Sequence, residues 1–338
     1  MIITRDVPTL DRWNYPFNFT PGTRTAASVF GVVGAEVTDG VTFDQRDAQF
    51  LIGFDLQPEV AAAMCDPQDL VVTQAVVTVT VSNNNNFVYD DSQDSFTSHL
   101  PLGTPGATVD TDPGRPIELF GVGYRGGFDQ STFVENSPFG AVAWEGRNAF
   151  PIDFDANGDP RDVSNNVSGS PTGIGPLDPF EPNTFAVGTI DTLTPGDLVP
   201  ANSVVSFSID VSDPDVQQYL RDALVSGELR VMVTSLQFAS FQTMEGAFAS
   251  LYTKENIFAT GRTATLSLIA ECAAPSGCAA DFDMDGDVDL GDFGAFGAAF
   301  GTSAGDPNFD PNADFDNDGD VDLGDFGFFG AEFGRTDC

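Results

Sequence analysis

Six aspartates crowd into twelve residues near the C-terminus, and the crowding recurs once. The first set is Asp281, Asp283, Asp285, Asp287, Asp289 and Asp292; the second is Asp314, Asp316, Asp318, Asp320, Asp322 and Asp325. Their surroundings repeat with them, Asp281–Gly301 matching Asp314–Gly334 at nearly every position, and such duplication marks two copies of one structural unit. In a twelve-residue loop, side chains at positions 1, 3, 5 and 12 can turn oxygens toward one centre. Position 7 adds a backbone carbonyl, and position 9 often acts through a water. Gly286 and Gly319 fall at position 6, where the chain must turn sharply. Two carboxylates about 5 Å apart in water repel by roughly 0.8 kcal/mol, so six in one loop call for a cation among them. All the donors are hard oxygens, which suits Ca2+ and disfavours zinc or copper. The spacing therefore predicts two calcium ions in this segment.

Other chemistry is sparser. Asp153, Asp155, Asn157 and Asp159 copy the first half of such a loop, but position 12 would be Ser164. They form either a further calcium site or an Asx-rich hairpin turn. His99 is the single histidine and lies in a Ser-His-Leu-Pro stretch. The chain has no Gly-x-Ser-x-Gly, His-Glu-x-x-His or phosphate-loop motif, so it reads as non-enzymatic. Lys254, the only lysine, stands beside Glu255 as a binding pair or a structural ion pair. Trp13, Tyr15, Tyr124 and Trp144 offer sugar-stacking faces or simple packing.

The charge is extreme, with 51 acidic against 13 basic residues and a net of −38. Such a surface repels nucleic acid and anionic lipid and attracts divalent cations. No run of 18 apolar residues occurs, so no membrane insertion is expected. The opening residues Met1–Asp6 lack a signal-peptide pattern, which leaves a removed leader or a truncated reading frame. Cys65, Cys272, Cys278 and Cys338 allow three pairings and show no Cys-x-x-Cys spacing. Disulfides in an oxidising compartment follow, and with them a secreted, extracellular or cell-surface location.

The elements that must position these groups differ along the chain. Ala27–Val37, Ala48–Leu56 and Leu70–Val81 read as strands, the last with the alternation of a half-buried one. Residues 83–202 hold 13 of the 22 prolines and read as a loop-rich insert with short strands such as Ile117–Tyr124. Val204–Val211 is a strand. A helix then opens at Asp213-Pro214 and ends at Gly227, with Val216, Tyr219, Leu220, Ala223 and Leu224 on its apolar face. Strands Glu228–Phe238 and Thr263–Ala270 follow. The pattern predicts a mainly β protein: a β-sandwich over 1–271 with one short helix and long loops, a linker over 272–279, and a small helical calcium module over 280–338. In that module Phe293, Phe296 and Phe300, and Phe326, Phe329 and Phe333, fall on one helical face as its core. Glycines among them weaken the helices, which are expected to form mainly when calcium fixes their first turn. Val288 and Val321, at position 8, predict a short β-contact between the loops.

The duplicated tail resembles a dockerin, an EF-hand-type calcium-loop-plus-helix module. The ligand pattern carries over onto Asp281, Asp283, Asp285, Asp289 and Asp292, and onto Asp314, Asp316, Asp318, Asp322 and Asp325. Aspartate at position 12 is the dockerin habit. Positions 10 and 11, Leu290-Gly291 and Leu323-Gly324, depart from the family where partners are chosen. The resemblance also implies that the module's ends meet, which pairs Cys278 with Cys338 and leaves Cys65 to Cys272. The large domain is similar to DNRLRE-type domains, which are jelly rolls of the carbohydrate-binding-module kind. The matching residues are Arg46–Asp55, Thr73–Val79 and Tyr252-Thr253-Lys254-Glu255-Asn256.

Three functions follow as expectations. The first is a calcium-ordered structural or adhesive protein of an extracellular surface, matrix or filament, which self-assembles or docks to a cohesin-like or other surface protein. The second is a carbohydrate-binding protein for an extracellular polysaccharide. The third is a dockerin-bearing subunit of a glycan-degrading complex.

Overall fold

The apolar runs before the aspartate repeats pair into antiparallel sheets. The computed structural model describes residues 1–31, 45–63, 65–100, 103, 105–140, 147–167, 179–237, 239, 246–272, 278–336 and 338. In chain order the elements are β1 (Ile2–Arg5), β2 (Leu10–Asn14), β3 (Ala26–Val29), β4 (Gln49–Asp55), α1 (Gln57–Val60), β5 (Leu70–Thr80), β6 (Ile117–Tyr124), β7 (Ala149–Phe154), β8 (Pro160–Asp162) and β9 (Ala186–Val187). β10 (Val204–Ser208), α2 (Pro214–Ser226), β11 (Glu228–Ser235), β12 (Ala249–Tyr252) and β13 (Thr265–Cys272) follow. One sheet runs β1-β13-β5-β10. A larger one runs β2-β4-β11-β6-β7-β8 with β9 also on β6, and β12 pairs with β3 alone.

The two main sheets share one core, a sandwich-like arrangement. Phe50, Ile52 and Phe54 of β4 and Leu229, Val231 and Val233 of β11 meet Val77 and Val79 of β5, Phe207 of β10 and Leu266 and Leu268 of β13. Each such side chain, fully buried, contributes about 1.5–3 kcal/mol. The outer face of the larger sheet is covered too. There Leu10, Leu51, Val122 and Met232 pack under Phe133, so β4 is buried on both faces and reads as a continuous apolar run. Along β5 the burial changes phase, because Thr73 and Gln74 are both exposed between Val72 and Ala75. The simple alternation expected of this strand therefore slips by one residue, as at a β-bulge.

Helix α2 forms as its ends dictate. The Asp213 carboxylate accepts hydrogen bonds from the Asp215 and Val216 amides, Pro214 opens the helix, and Gly227 closes it at φ +80°. Val216, Leu220, Ala223 and Leu224 are buried. Tyr219 is half-buried, and its hydroxyl donates to the Arg230 carbonyl while accepting from the Val122 amide.

Several expectations need correction. The strand expected over Ala27–Val37 ends at Val29; its residues 32–37 lie outside the described residues, as does Phe238 at the end of the β11 run. The strand expected to reach Val211 stops at Ser208. Strands β1, β2, β7 and β12 were not foreseen, being short and mixed in composition.

Four arginines, Arg12, Arg46, Arg147 and Arg230, are buried. Arg46 pairs with buried Glu118 and lies over the Phe120 ring. Arg147 pairs with Asp47 at 3.0 Å, and Arg12 lies 4.4 Å over Phe133.

The chain divides between Glu271 and Cys272 into two compact units. The second contains α3 (Leu290–Ala299) and α4 (Leu323–Glu332). Its core is Cys278, Ala280, Val288, Phe296, Ala299, Ala313, Val321 and Phe329. Phe296 stacks on Phe329 with centroids 5.0 Å apart. Cys278 and Cys338 are disulfide-bonded, closing this unit end to end. Cys65 and Cys272 are disulfide-bonded as well, and no cysteine is free. The linker drawn over 272–279 is thus too long at its far end: Cys278 is a core residue, and its position is fixed covalently. No helix among the described residues is long and apolar enough to cross a membrane.

Candidate metal centre

Each aspartate loop is built by its own backbone. Gly286 and Gly319, at φ +97° and +98°, make the turn at position 6. There their amides donate to position 1, Gly286 to Asp281 Oδ2 at 3.2 Å and Gly319 to Asp314 Oδ2 at 3.0 Å. Position 4 is also left-handed, at Met284 (φ +60°) and Asn317 (φ +57°). Asparagine accepts that region readily, whereas methionine is strained there by roughly 1–2 kcal/mol.

Position 12 anchors the loop to its helix. Asp292 is fully buried and accepts from the amides of Phe282 at 2.6 Å, Asp283 at 3.3 Å and Asp289 at 2.8 Å. Asp325 repeats this with Phe315, Asp316 and Asp322. Positions 9 and 12 also form a capping box, with Asp289 and Asp322 as N-caps of α3 and α4. One Asp-x-x-Asp spacing thus starts the helix and closes the loop. Burial alone would raise the Asp292 carboxyl. The three amide hydrogen bonds outweigh it and hold the group below the usual carboxylate range.

The carboxylates converge. In the first loop the oxygens of Asp281, Asp283 and Asp285 lie within 4.8 Å of one another, as do those of Asp287, Asp289 and Asp292; in the second loop Asp314, Asp316 and Asp325 do so. The crowding holds Asp283 and Asp287 above the usual range, through desolvation first and then neighbouring aspartates. Asp316 is raised in the same way, while Asp320 is raised first by Asp318. Asp281 Oδ1 and Asp287 Oδ1 are buried without a hydrogen-bond partner. Two orphaned oxygens in an all-carboxylate donor set fit a hard divalent cation.

Glycine at position 11 has a steric reason. A Cβ on Gly291 would stand 2.9 Å from Asp283 Oδ2 and 3.1 Å from Asp289 Oδ1, and one on Gly324 would meet Asp316 and Asp322 in the same way. The bare backbone lets positions 3 and 9 close over the first helical turn.

The β-contact expected between Val288 and Val321 is not the one that forms. Val288 pairs with the chain after α4, through Gly334 and Arg335, and Val321 pairs with the chain after α3, through Gly301 and Thr302. Each loop is therefore tied to the other repeat's exit. The phenylalanine stripe also needs correction as a core. Phe296 and Phe329 are buried, but Phe293, Phe300, Phe326 and Phe333 are 43–47% exposed. Phe293, Phe296, Gly297, Phe300, Leu323 and Phe326 line an apolar groove of about 270 Å³. Phe282 and Phe315, at position 2, supply packing that the stripe missed; their recurrence in both copies was the available signal.

Asp153, Asp155, Asn157 and Asp159 do not form a ligand set. Asp153 is buried on β7, where its carboxylate binds Arg161 Nε at 3.0 Å and the Asn183 amide at 2.8 Å. Asp155 accepts from the Asn157 and Asp159 amides at the tip of the β7–β8 hairpin. Arg161 and the Asn183 amide already meet the Asp153 carboxylate, and an Asx turn that of Asp155.

Lys254 sits in an ion-pair group, with Nζ 2.6 Å from Glu135, 3.9 Å from Asp11 and 4.0 Å from Glu255. Glu135, which the sequence did not point to, is its nearest partner. His99 is pushed down to about 3 by burial and by Arg115 and Arg46, and its Nε2 has no hydrogen-bond partner among the described residues. Trp13 stacks on Tyr15 at 5.0 Å and donates to the Ser28 carbonyl. The Tyr124 hydroxyl accepts from Arg230 at 3.0 Å. Trp144 lies outside the described residues.

Compared with protein-family models, curated proteins and solved structures, the chain matches none.

Proposed function

We propose that this chain is a secreted, non-enzymatic calcium-binding structural or adhesive protein of an extracellular surface, matrix or filament. In this reading the β-rich domain is displayed, and the dockerin-like module attaches it to a cohesin-like or other surface protein or to a second copy. The observation that carries it is the pair of matched aspartate loops, each with converging carboxylates and a position-12 aspartate locked by three amides. Asp281, Asp283, Asp285 and Asp292 would hold one Ca2+, with the position-7 backbone, and Asp314, Asp316, Asp318 and Asp325 the other. The ions supply the positive charge that the module's own residues lack. The half-exposed phenylalanines beside the loops suit a docking role better than a free monomer. Two disulfides fit an oxidising, extracellular setting.

The test is size-exclusion chromatography and electron microscopy of the intact protein in calcium and in chelator, beside Asp283→Ala/Asp316→Ala. Assembly or surface capture that requires calcium and is lost in the variant is expected. A monomer indifferent to both conditions defeats the reading.

A second reading, carbohydrate recognition, rests on Trp13, Tyr15 and Phe17, half-buried at alternate positions. A glycan array in millimolar-range calcium without hits would remove it.

A further inference from the structure

We propose that the proline-rich insert carries a third calcium site, formed by Asp90, Asp94 and Asp112. Their carboxylate oxygens lie within 4.8 Å of one another, although Asp112 is twenty-two residues beyond Asp90 in sequence. The group joins two separate stretches of the insert. A cluster of acids alone says little, because exposed carboxylates gather freely in water. Asp90 is different. It is only 4% exposed, and its Oδ2 is buried without any hydrogen-bond partner. A carboxylate oxygen taken out of water and left unpaired is costly, and among the described residues no donor meets this one.

The remaining contacts show what that partner must be. Asp90 Oδ1 accepts from the Ser92 amide at 3.0 Å and from Ser92 Oγ at 2.9 Å. Ser92 Oγ also lies 2.7 Å from Asp112 Oδ2. Arg115 pairs with one member of the group and one neighbour: its Nη1 reaches Asp94 Oδ2 at 2.7 Å and Asp110 Oδ2 at 2.6 Å. Among the described residues no ion pair joins Arg115 to Asp90 or Asp112. One guanidinium thus stands among four neighbouring aspartates and pairs with two, Asp94 and Asp110. A hard divalent cation with oxygen preference is the matching partner. Calcium, which tolerates irregular coordination, suits carboxylates drawn from two loops better than magnesium does.

A contrasting cluster sharpens the assignment. Asp11, Glu135 and Glu255 also lie within 4.8 Å of one another, but the Lys254 ammonium already stands among them. That group has one cation within reach of all three acids, whereas in the Asp90 group Arg115 pairs, among the described residues, with Asp94 alone of the three. Bound calcium would tie the chain around Asp90 to the chain around Asp112, bracing an insert that is otherwise rich in proline and turn residues.

The site can be read apart from the C-terminal loops. Tyr89 immediately precedes Asp90, whereas residues 272–338 contain neither tyrosine nor tryptophan. Terbium added to the intact protein and excited through tyrosine should therefore report the insert, and Asp283→Ala/Asp316→Ala separates any contribution of the aspartate repeats. Emission that calcium displaces is expected, falling on the order of tenfold in Asp90→Asn and in the milder, surface-placed Asp112→Asn. It should persist in Asp283→Ala/Asp316→Ala and in Glu135→Gln. Equilibrium dialysis should count one calcium fewer in Asp112→Asn than in the unsubstituted chain. Equal counts, or terbium emission unchanged in Asp112→Asn, would overturn the site whatever becomes of the C-terminal loops. Matching circular dichroism in chelator shows that Asp112→Asn is folded, so a lost signal belongs to the ligand.

Discussion

In residues 1–271, twelve basic residues stand against thirty-five acids, whereas residues 272–338 hold sixteen acids and Arg335 alone. The two regions neutralise their carboxylates by different means. The β-domain places its scarce cations inside or at the rim. Arg46 lies against Glu118, Arg147 against Asp47, Arg161 against Asp153 and Lys254 against Glu135. A buried guanidinium fixed by several acceptors is part of the fold at every calcium concentration. The C-terminal module instead gathers its acids into two loops with Arg335 as its one basic residue, and in the proposed function its positive charge comes from solution. Internal cations make most of the first region's stability a property of its sequence; if the second binds calcium as proposed, its stability depends on the medium.

The largest expected effect separates the two. On heating the intact protein, calcium at about 100 times its dissociation constant should stabilise the module by roughly 2.7 kcal/mol per site, near 5 kcal/mol for two. The β-domain transition should move less, by no more than the one site proposed at Asp90 supplies. Calorimetry in calcium and chelator checks this; a common shift of both transitions would erase the distinction. Next, Arg46→Ala leaves Glu118 buried and unpaired and should cost about 3–5 kcal/mol, equally with and without calcium, by urea denaturation. A calcium-dependent cost would contradict the internal-cation account.

Replacing Cys278 and Cys338 by serine should destabilise the module by about 3 kcal/mol, because the bridge closes a long loop in the unfolded chain. The loss should be larger in chelator, where only the small phenylalanine core remains. At the loops, Gly291→Ser should weaken calcium binding about tenfold, or ~1.4 kcal/mol, by pushing Asp283 and Asp289 apart. Gly294→Ala, which faces open space, should leave affinity unchanged while strengthening α3 by up to about 1 kcal/mol. Titration calorimetry distinguishes them, and equal affinities would remove the steric role given to position 11.

A further effect concerns pH. Asp11 is pushed up to about 8, chiefly by burial, from an ordinary 3.8. The folded state therefore keeps a proton that the unfolded chain has released across this window. Its contribution to stability is fully present below about 3.8 and is lost as pH rises through about 8. Asp11→Asn should flatten this slope in denaturation curves taken at both ends of the window. A slope that survives the substitution assigns the proton elsewhere.

Much of this was legible in the residues alone. Local rules act on neighbours, so α2 with its Asp213 cap and Gly227 stop, strand β6 and the turn glycines of the aspartate loops could be read without a fold. The duplicated loops were plain for the same reason: ligand spacing, helix cap and turn all lie within twelve residues. The Asp153 motif left a calcium site and an Asx-rich hairpin turn open from the sequence; the structure shows the turn, with Arg161, across the hairpin, on the Asp153 carboxylate. Strands β1 and β2 were missed because short mixed segments pair only when a distant neighbour offers an edge. Which phenylalanines are buried, which loop pairs with which exit, and where the arginines end depended on packing between segments far apart in sequence. The sequence by itself determined where negative charge would be concentrated. Only the tertiary structure decided which of those charges meet a cation of the chain's own, because Coulomb energy depends on distance in space and on the burial that removes water.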